Sequence, residues 1–306
     1  MAAPGPGGQI EMNWKEELFC KAEIIDQALD RFLPPLSAYP QVVHEAMRYS
    51  IFAGGKRLRG AFVLSAAGML GTDENRVLPA AAALEMIHTY SLIHDDLPAM
   101  DDDDYRRSKP TCHRVFGEAV AILAGDALLT KAFETLCLLY EEGFAANDVL
   151  QVTREIAAAA GSNGMIGGQV VDLDSEGIEI TGDILEYIHS HKTGALFTAA
   201  VRSGALLAGA EDEELHVLSE YAAAFGLAFQ ITDDLLDLTG DEKKLGKKTG
   251  RDLAKKKATY PGLLGKEQAG QLAADQVKKC IMSLTSFGPK ADFLRGAANY
   301  ILSRES

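Results

Sequence analysis

Two short acidic runs dominate the chemistry open to this chain. The first is Asp95-Asp96-Leu97-Pro98-Ala99-Met100-Asp101, continued by Asp102, Asp103 and Asp104. It follows the apolar, helix-like stretch Ala80–His94, so it sits at a helix C-terminal end. That is the unfavourable end for carboxylates, because the helix dipole is negative there. Six acids within ten residues also repel one another and raise each other's proton affinity. A compensating cation relieves both effects, and hard oxygen donors of this kind suit Mg²⁺. Asp95 and Asp101 are six apart and share no face of a straight helix, but Pro98 loosens the turn so that they could converge. Taken alone, the run reads equally well as a solvated acidic loop.

The second run is Asp233-Asp234-Leu235-Leu236-Asp237, after the apolar Tyr221–Ile231. Asp233 and Asp237 are four apart and share a helix face. Like charges at that spacing destabilise a bare helix, and a metal ion between them would reverse the sign. Two acidic clusters, each ending an apolar helix and 138 residues apart, form a two-sided clamp if the helices lie side by side. Basic groups accompany them. Gly54-Gly55-Lys56-Arg57-Leu58-Arg59 puts three cations after a flexible pair. Arg106, Arg107 and Lys109 follow the first acidic run, and His88 precedes it by two turns. Lys192-Thr193-Gly194 stands between helical segments; Gly246-Lys247-Lys248 and Lys255-Lys256-Lys257 follow the second run. Carboxylate-bound metal ions beside Arg and Lys forks are what a diphosphate requires.

The elements that must position these groups are helices. None of the ten prolines falls between Pro110 and Pro261, and that stretch is rich in Ala and Leu. Helical pieces are expected at Ala119–Leu139, Leu150–Ala160, Ile184–Ala210 and Glu214–Leu238, broken at Gly143, Gly161–Gly164, Gly177 and Gly182. Val170–Asp174 is the one ambiguous piece. The expected fold is all-α, a single-domain helical bundle over 11–306 with a disordered tail at 1–10. The chain has 306 residues, 47% of them hydrophobic, which is enough for a full core without disulfides or structural metal. Its formal charge of −14 argues against non-specific nucleic-acid binding. Cys20, Cys112, Cys137 and Cys280 lack metal-ligand spacing and read as reduced cytoplasmic thiols, with Cys112 and Cys137 in the core. The N-terminal segment shows neither secretory nor transit character, and no membrane span is expected.

These residues together resemble the trans-isoprenyl diphosphate synthases. GGKRLR at 54–59, SLIHDDLPAMDDDDYRR at 91–107, KPTCHRVFGEAVAILAGDALL at 109–129, GGQVVDL at 167–173, KTG at 192–194, FQITDDLLD at 229–237 and GK…KATYP at 246–261 occur in the family's order. The resemblance is strongest to bacterial-type farnesyl diphosphate synthases. It implies an all-α bundle with a deep central cavity, a homodimer, and Mg²⁺, three ions per site. It implies that Asp95, Asp101 and Asp233 are metal ligands supported by Asp96, Asp234 and Asp237, although any of Asp101 to Asp104 could close the first set. Arg106, Lys192 and Lys247, with Lys257 as a further candidate, would grip an allylic diphosphate. Lys56, Arg59, His88 and Arg107 would hold the diphosphate of isopentenyl diphosphate. Thr193 and Gln230 would lie near the reacting carbons. Tyr90 and Ser91, one turn before Asp95, would form the floor of the chain-growth tunnel. A phenol there implies a C15 product from dimethylallyl and geranyl diphosphates; geranylgeranyl diphosphate is the alternative. Three ExxH triplets, Glu85/His88, Glu186/His189 and Glu213/His216, also permit a di-iron reading, but it leaves both aspartate runs unused.

Overall fold

The computed structural model describes residues 6–239 and 257–304. Fourteen α-helices lie among the described residues. They are α1 (Pro6–Phe32), α2 (Gln41–Ile51), α3 (Leu58–Met69), α4 (Leu78–Asp95), α5 (Cys112–Phe116), α6 (Glu118–Glu141) and α7 (Ala146–Ala160). Then follow α8 (Met165–Asp174), α9 (Gly182–Ile188), α10 (Ala195–Leu207), α11 (Asp212–Thr239), α12 (Tyr260–Leu264), α13 (Lys266–Ser283) and α14 (Asp292–Ser303). A two-residue antiparallel hairpin, β1 (Tyr105–Arg106) with β2 (Lys109–Pro110), is the only pairing of strands among them.

The stretch without proline gives the long helices it invites. Gly143, at φ 87°, turns the chain from α6 into α7, and Gly161–Gly164 separates α7 from α8. Val170–Asp174 belongs to α8. Helix α1 begins at Pro6, inside the segment expected as a tail. From Gly182 to Leu207 the chain stays helical, but His189–Gly194 forms a π turn between α9 and α10. Lys192-Thr193-Gly194 is therefore a widened turn inside the expected helical piece Ile184–Ala210, not a break between two segments.

Helices α3 and α4 are apolar on nearly every face and lie at the centre. Small residues let the backbones approach: a Cβ on Gly204 of α10 would stand 2.3 Å from the Val63 carbonyl oxygen of α3. Phe62 of α3, Phe197 and Phe225 cluster with ring centres 4.7–5.7 Å apart, Phe225 edge to face on both others. This core runs from Trp14 to Ile301. A smaller cluster of Leu185, Ile231, Tyr260, Ala269 and Ala273 joins α9, α11, α12 and α13. It fixes the chain just after Lys257. Helix α10 packs against both α4 and α11, so the two acidic helices flank a third helix rather than simply lying side by side. Cys112 is buried, but Cys137 is exposed, contrary to the core position expected of it. Among the described residues, no helix is long and apolar enough to cross a membrane.

Candidate active site

The loop after α4 brings Asp101 back onto Asp95. Pro98 cannot continue the helix, and Asp102 takes a left-handed conformation at φ 52°. The Asp101 N–H then donates to the Asp95 carbonyl at 2.8 Å, and the Asp103 N–H to that of Asp96 at 3.1 Å. The side chains of this loop meet donors from distant elements. Gln169 of α8 donates to the Asp95 carboxylate at 2.7 Å. Lys257 donates to Asp101 at 3.0 Å and lies 3.7 Å from Asp172. Asp172 also takes the Lys192 ammonium at 2.6 Å.

The second acidic run faces the same cleft. Asp233, Asp234 and Asp237 line a cavity of about 140 Å³ together with Asp172, Lys192 and Lys257. Asp234 is buried; it accepts the Tyr260 N–H at 3.0 Å and lies 3.4 Å from His189 Nε2. Arg304, just beyond α14, bonds both Asp233 and the Phe229 carbonyl and covers the Phe229 ring. Thr193 Oγ1 donates to the Gln230 amide oxygen at 2.9 Å, so these two meet across the π turn and α11.

Two glycines place the π turn. A Cβ on Gly168 of α8 would stand 2.2 Å from the Lys192 nitrogen, and one on Gly226 of α11 would stand 2.8 Å from the Gly194 Cα. Only glycine lets these helices come so close. Burial alone would lower the proton affinity of Lys257, but Asp172 and Asp101 outweigh it and hold the ammonium above its ordinary range.

The basic groups gather beside the first acidic loop. Gly54 and Gly55, at φ 110° and 132°, turn the chain into α3. Arg107 donates to the Gly54 carbonyl and packs on Gly55, where a Cβ would stand 2.6 Å from its guanidinium. Arg106 grips the buried Asp96 carboxylate through three contacts of 2.6–3.0 Å. Arg59 lies over the Phe197 ring at 4.5 Å, and its Nε is buried without a hydrogen-bond partner. Burial lowers the Arg59 guanidinium to about 10; Glu85 raises it and Arg107 opposes. His88 is held well below its ordinary value, first by burial and then by Arg59, Arg107, Arg106 and Arg57. Mutually repelling cations and an orphaned donor mark a place that favours an anion. Lys56 lies over the Tyr300 ring of α14 at 5.2 Å, and Arg57 turns inward to Asp26 at 2.7 Å.

Tyr90 is 6% exposed, edge-on to His94 at 5.7 Å, and its hydroxyl is buried without a partner. Burial pushes the phenol above its ordinary value. The His94 ring occupies the space over Gly125 of α6, and Tyr90 packs against the His94 ring on α4. Ser91 donates to the His88 carbonyl at 2.8 Å. Lys247 lies outside the described residues. Sequence reasoning gave no role to Asp172, Gln169 or Arg304, and named Glu85 only as half of a di-iron triplet with His88. The first two stood in the quoted GGQVVDL stretch, while the contacts of Arg304 and Glu85 have no local signature.

The donor set for a cation is all carboxylate oxygen, which suits Mg²⁺ over softer metals. Among the described residues, no three His, Cys, Asp or Glu converge on one point. Each ion would therefore take one or two carboxylates and complete its shell from elsewhere, which is how Mg²⁺ binds beside phosphates. Asp95, Asp101 and Asp233, each turned to a cationic or amide donor, fit that demand.

Comparison with known proteins gives the family. A polyprenyl synthetase family model matches residues 40–289. The farnesyl diphosphate synthase of Escherichia coli K12 is 48% identical, over 96% of this chain and 99% of its own. The geranylgeranyl diphosphate synthase of Cyanophora paradoxa is 44% identical, over 97% and 99%. The crystal structure of a FPP/GFPP synthase from Zymomonas mobilis superposes with a TM-score of 0.85 at 36% identity, covering 95% of this chain and 99% of that one. A family model over most of the chain, a relative 48% identical along nearly all of it and a solved structure of the same all-α fold leave one conclusion: the chain belongs to the polyprenyl synthetase family of prenyltransferases.

Proposed function

We propose that the chain condenses isopentenyl diphosphate head-to-tail with dimethylallyl and then geranyl diphosphate, releasing farnesyl diphosphate. The observation that carries this reading is the pairing of two differently built sites around the Asp96–Arg106 contact. One is a carboxylate cleft with lysines; the other is a guanidinium cluster around a histidine. A metal-assisted allylic diphosphate suits the first, and a second diphosphate suits the second.

Arg106, Lys192 and Lys247, with Lys257, grip the allylic diphosphate, Arg106 from its contact with Asp96. Asp95, Asp101 and Asp233 hold Mg²⁺, three ions per site, with Asp96, Asp234 and Asp237 in support. When bound, the metal neutralises charge on the diphosphate oxygens. The allylic C–O bond breaks and its electron pair leaves with the diphosphate. The Thr193 and Gln230 oxygens and the backbone at Lys192 face the resulting carbocation. Lys56, Arg59, His88 and Arg107 present isopentenyl diphosphate, whose double bond attacks the cation. A proton is then lost to the departed diphosphate, so no catalytic His or Glu is needed. Tyr90, with Ser91, stops growth at C15. The chain works as one domain, with all of α1 in it, and as a homodimer.

The test is product analysis. The purified chain is incubated with Mg²⁺, isopentenyl diphosphate and dimethylallyl diphosphate, and the dephosphorylated products are sized. A C15 alcohol supports the reading. A C20 product, as the name of the Cyanophora relative suggests, keeps the reaction and removes the Tyr90 argument. No condensation overturns the activity for this chain.

A further inference from the structure

We propose that Glu85 is a positioning residue for the second diphosphate site: a buried carboxylate on α4 that caps α3 and holds in place the turn carrying Arg59. The inference rests on the reading that Arg59 and Arg107 receive isopentenyl diphosphate.

Glu85 is 2% exposed. Glutamate is almost never buried so fully unless it is paired, because its charge loses water. Its partners lie on other elements. One oxygen accepts the Gly60 N–H at 3.0 Å, and the other lies 3.8 Å from Arg57 Nη1. Gly60 is the third residue of α3, so this N–H belongs to the first turn and has no intrahelical acceptor. The residue at the usual capping position is Arg57, in a left-handed conformation and without a side-chain cap. A guanidinium carries no acceptor, so the helix cannot cap itself there. Glu85 supplies the missing acceptor from α4, and its negative charge suits the positive end of α3.

The same carboxylate completes a clamp. Arg57 also donates to Asp26 of α1 at 2.7 Å and to the Ile51 carbonyl closing α2 at 2.6 Å. Gly60 allows this convergence, since a Cβ there would meet Ile25 at 2.9 Å and the Ala81 carbonyl at 3.3 Å. Arg59 sits between Arg57 and Gly60, both held. Its guanidinium therefore starts from a fixed backbone, over Phe197. Glu85 also opposes the mutual repulsion of Arg59 and Arg107, whose affinities for a proton it raises.

The test compares the full chain with Glu85→Gln and Glu85→Asp. Initial rates are measured against each diphosphate with the other saturating, and metal-free binding of inorganic pyrophosphate is followed by calorimetry, with Arg59→Ala as reference. For E85Q we expect KM for isopentenyl diphosphate to rise about tenfold, the loss of one charged hydrogen bond. KM for the allylic substrate and kcat should stay within about twofold. Pyrophosphate binding should weaken about tenfold in both E85Q and R59A. E85D keeps the charge but shortens the reach, and should lie between; it carries the test if E85Q does not fold. A folded E85Q with parental KM and pyrophosphate affinity overturns the proposal. So do both KM values rising together with a fall in kcat, or E85D matching the parent. If the parent does not condense its substrates but E85Q still loses pyrophosphate, the reaction is wrong and the positioning role stands.

Discussion

Gly168→Ala is the sharpest test of how the π turn is placed. The added Cβ would stand 2.2 Å from the Lys192 nitrogen, 2.8 Å from its Cα and 2.9 Å from the His191 carbonyl carbon. All three are backbone atoms, so no side chain can swing away. Opening 2.2 Å to an ordinary contact of 3.4 Å displaces α8 or the turn by about 1.2 Å. Displacements near 1 Å cost on the order of 10²-fold in rate when they misplace a group that holds substrate. That corresponds to about 2.7 kcal/mol of transition-state stabilisation. Overpacking should also cost about 1–3 kcal/mol of stability. The assay is kcat/KM for condensation, with a thermal melt on each variant. Gly270→Ala on α13 is the control, because its Cβ meets nothing within 4 Å. It should leave kcat/KM unchanged and add up to about 1 kcal/mol of stability. A folded Gly168→Ala with parental kcat/KM would refute the claim that the close approach of α8 sets Lys192.

Tyr90→Ala should lengthen the product, read by chromatography of the dephosphorylated alcohols; an unchanged C15 product removes Tyr90 from length control. His88 gives a pH prediction. Its folded pKa lies well below that of the unfolded chain, so acid favours the unfolded state. Its contribution is constant above about pH 6.5 and is lost below it, at up to ~1.4 kcal/mol per pH unit. Denaturant melts of His88→Gln should show that much less acid sensitivity than the parent, and parallel curves would contradict it. Arg106→Ala strands the buried Asp96 carboxylate and should cost about 3 kcal/mol by the same melts; a loss below about 1 kcal/mol would mean that water reaches Asp96. Chelation should abolish condensation and Mg²⁺ restore it, whereas full activity in excess chelator would remove the metal from the reading.

What the sequence alone determined is local. A proline-free, alanine-rich stretch allows helices and little else, because each residue's backbone preference acts on its own neighbourhood. The aspartate runs were visible for the same reason. Their charges sit within a few residues of one another and conflict with the helices that carry them. The turn at Pro98 was legible because a ring on the backbone acts where it stands.

Tertiary structure decided which groups meet. Lys257 reaches Asp101 across 156 positions, Lys192 meets Asp172 across 20, and Arg304 meets Asp233 across 71. No spacing rule encodes such pairs, because the contact exists only once the helices are packed. The π turn at His189–Gly194 was likewise invisible, since it depends on the space left by Gly168 and Gly226 on two other helices. Glu85 is the clearest case. On α4 it is one acid in an apolar helix, and it becomes the cap of α3 only when folding buries its charge against a neighbour's unpaired N–H.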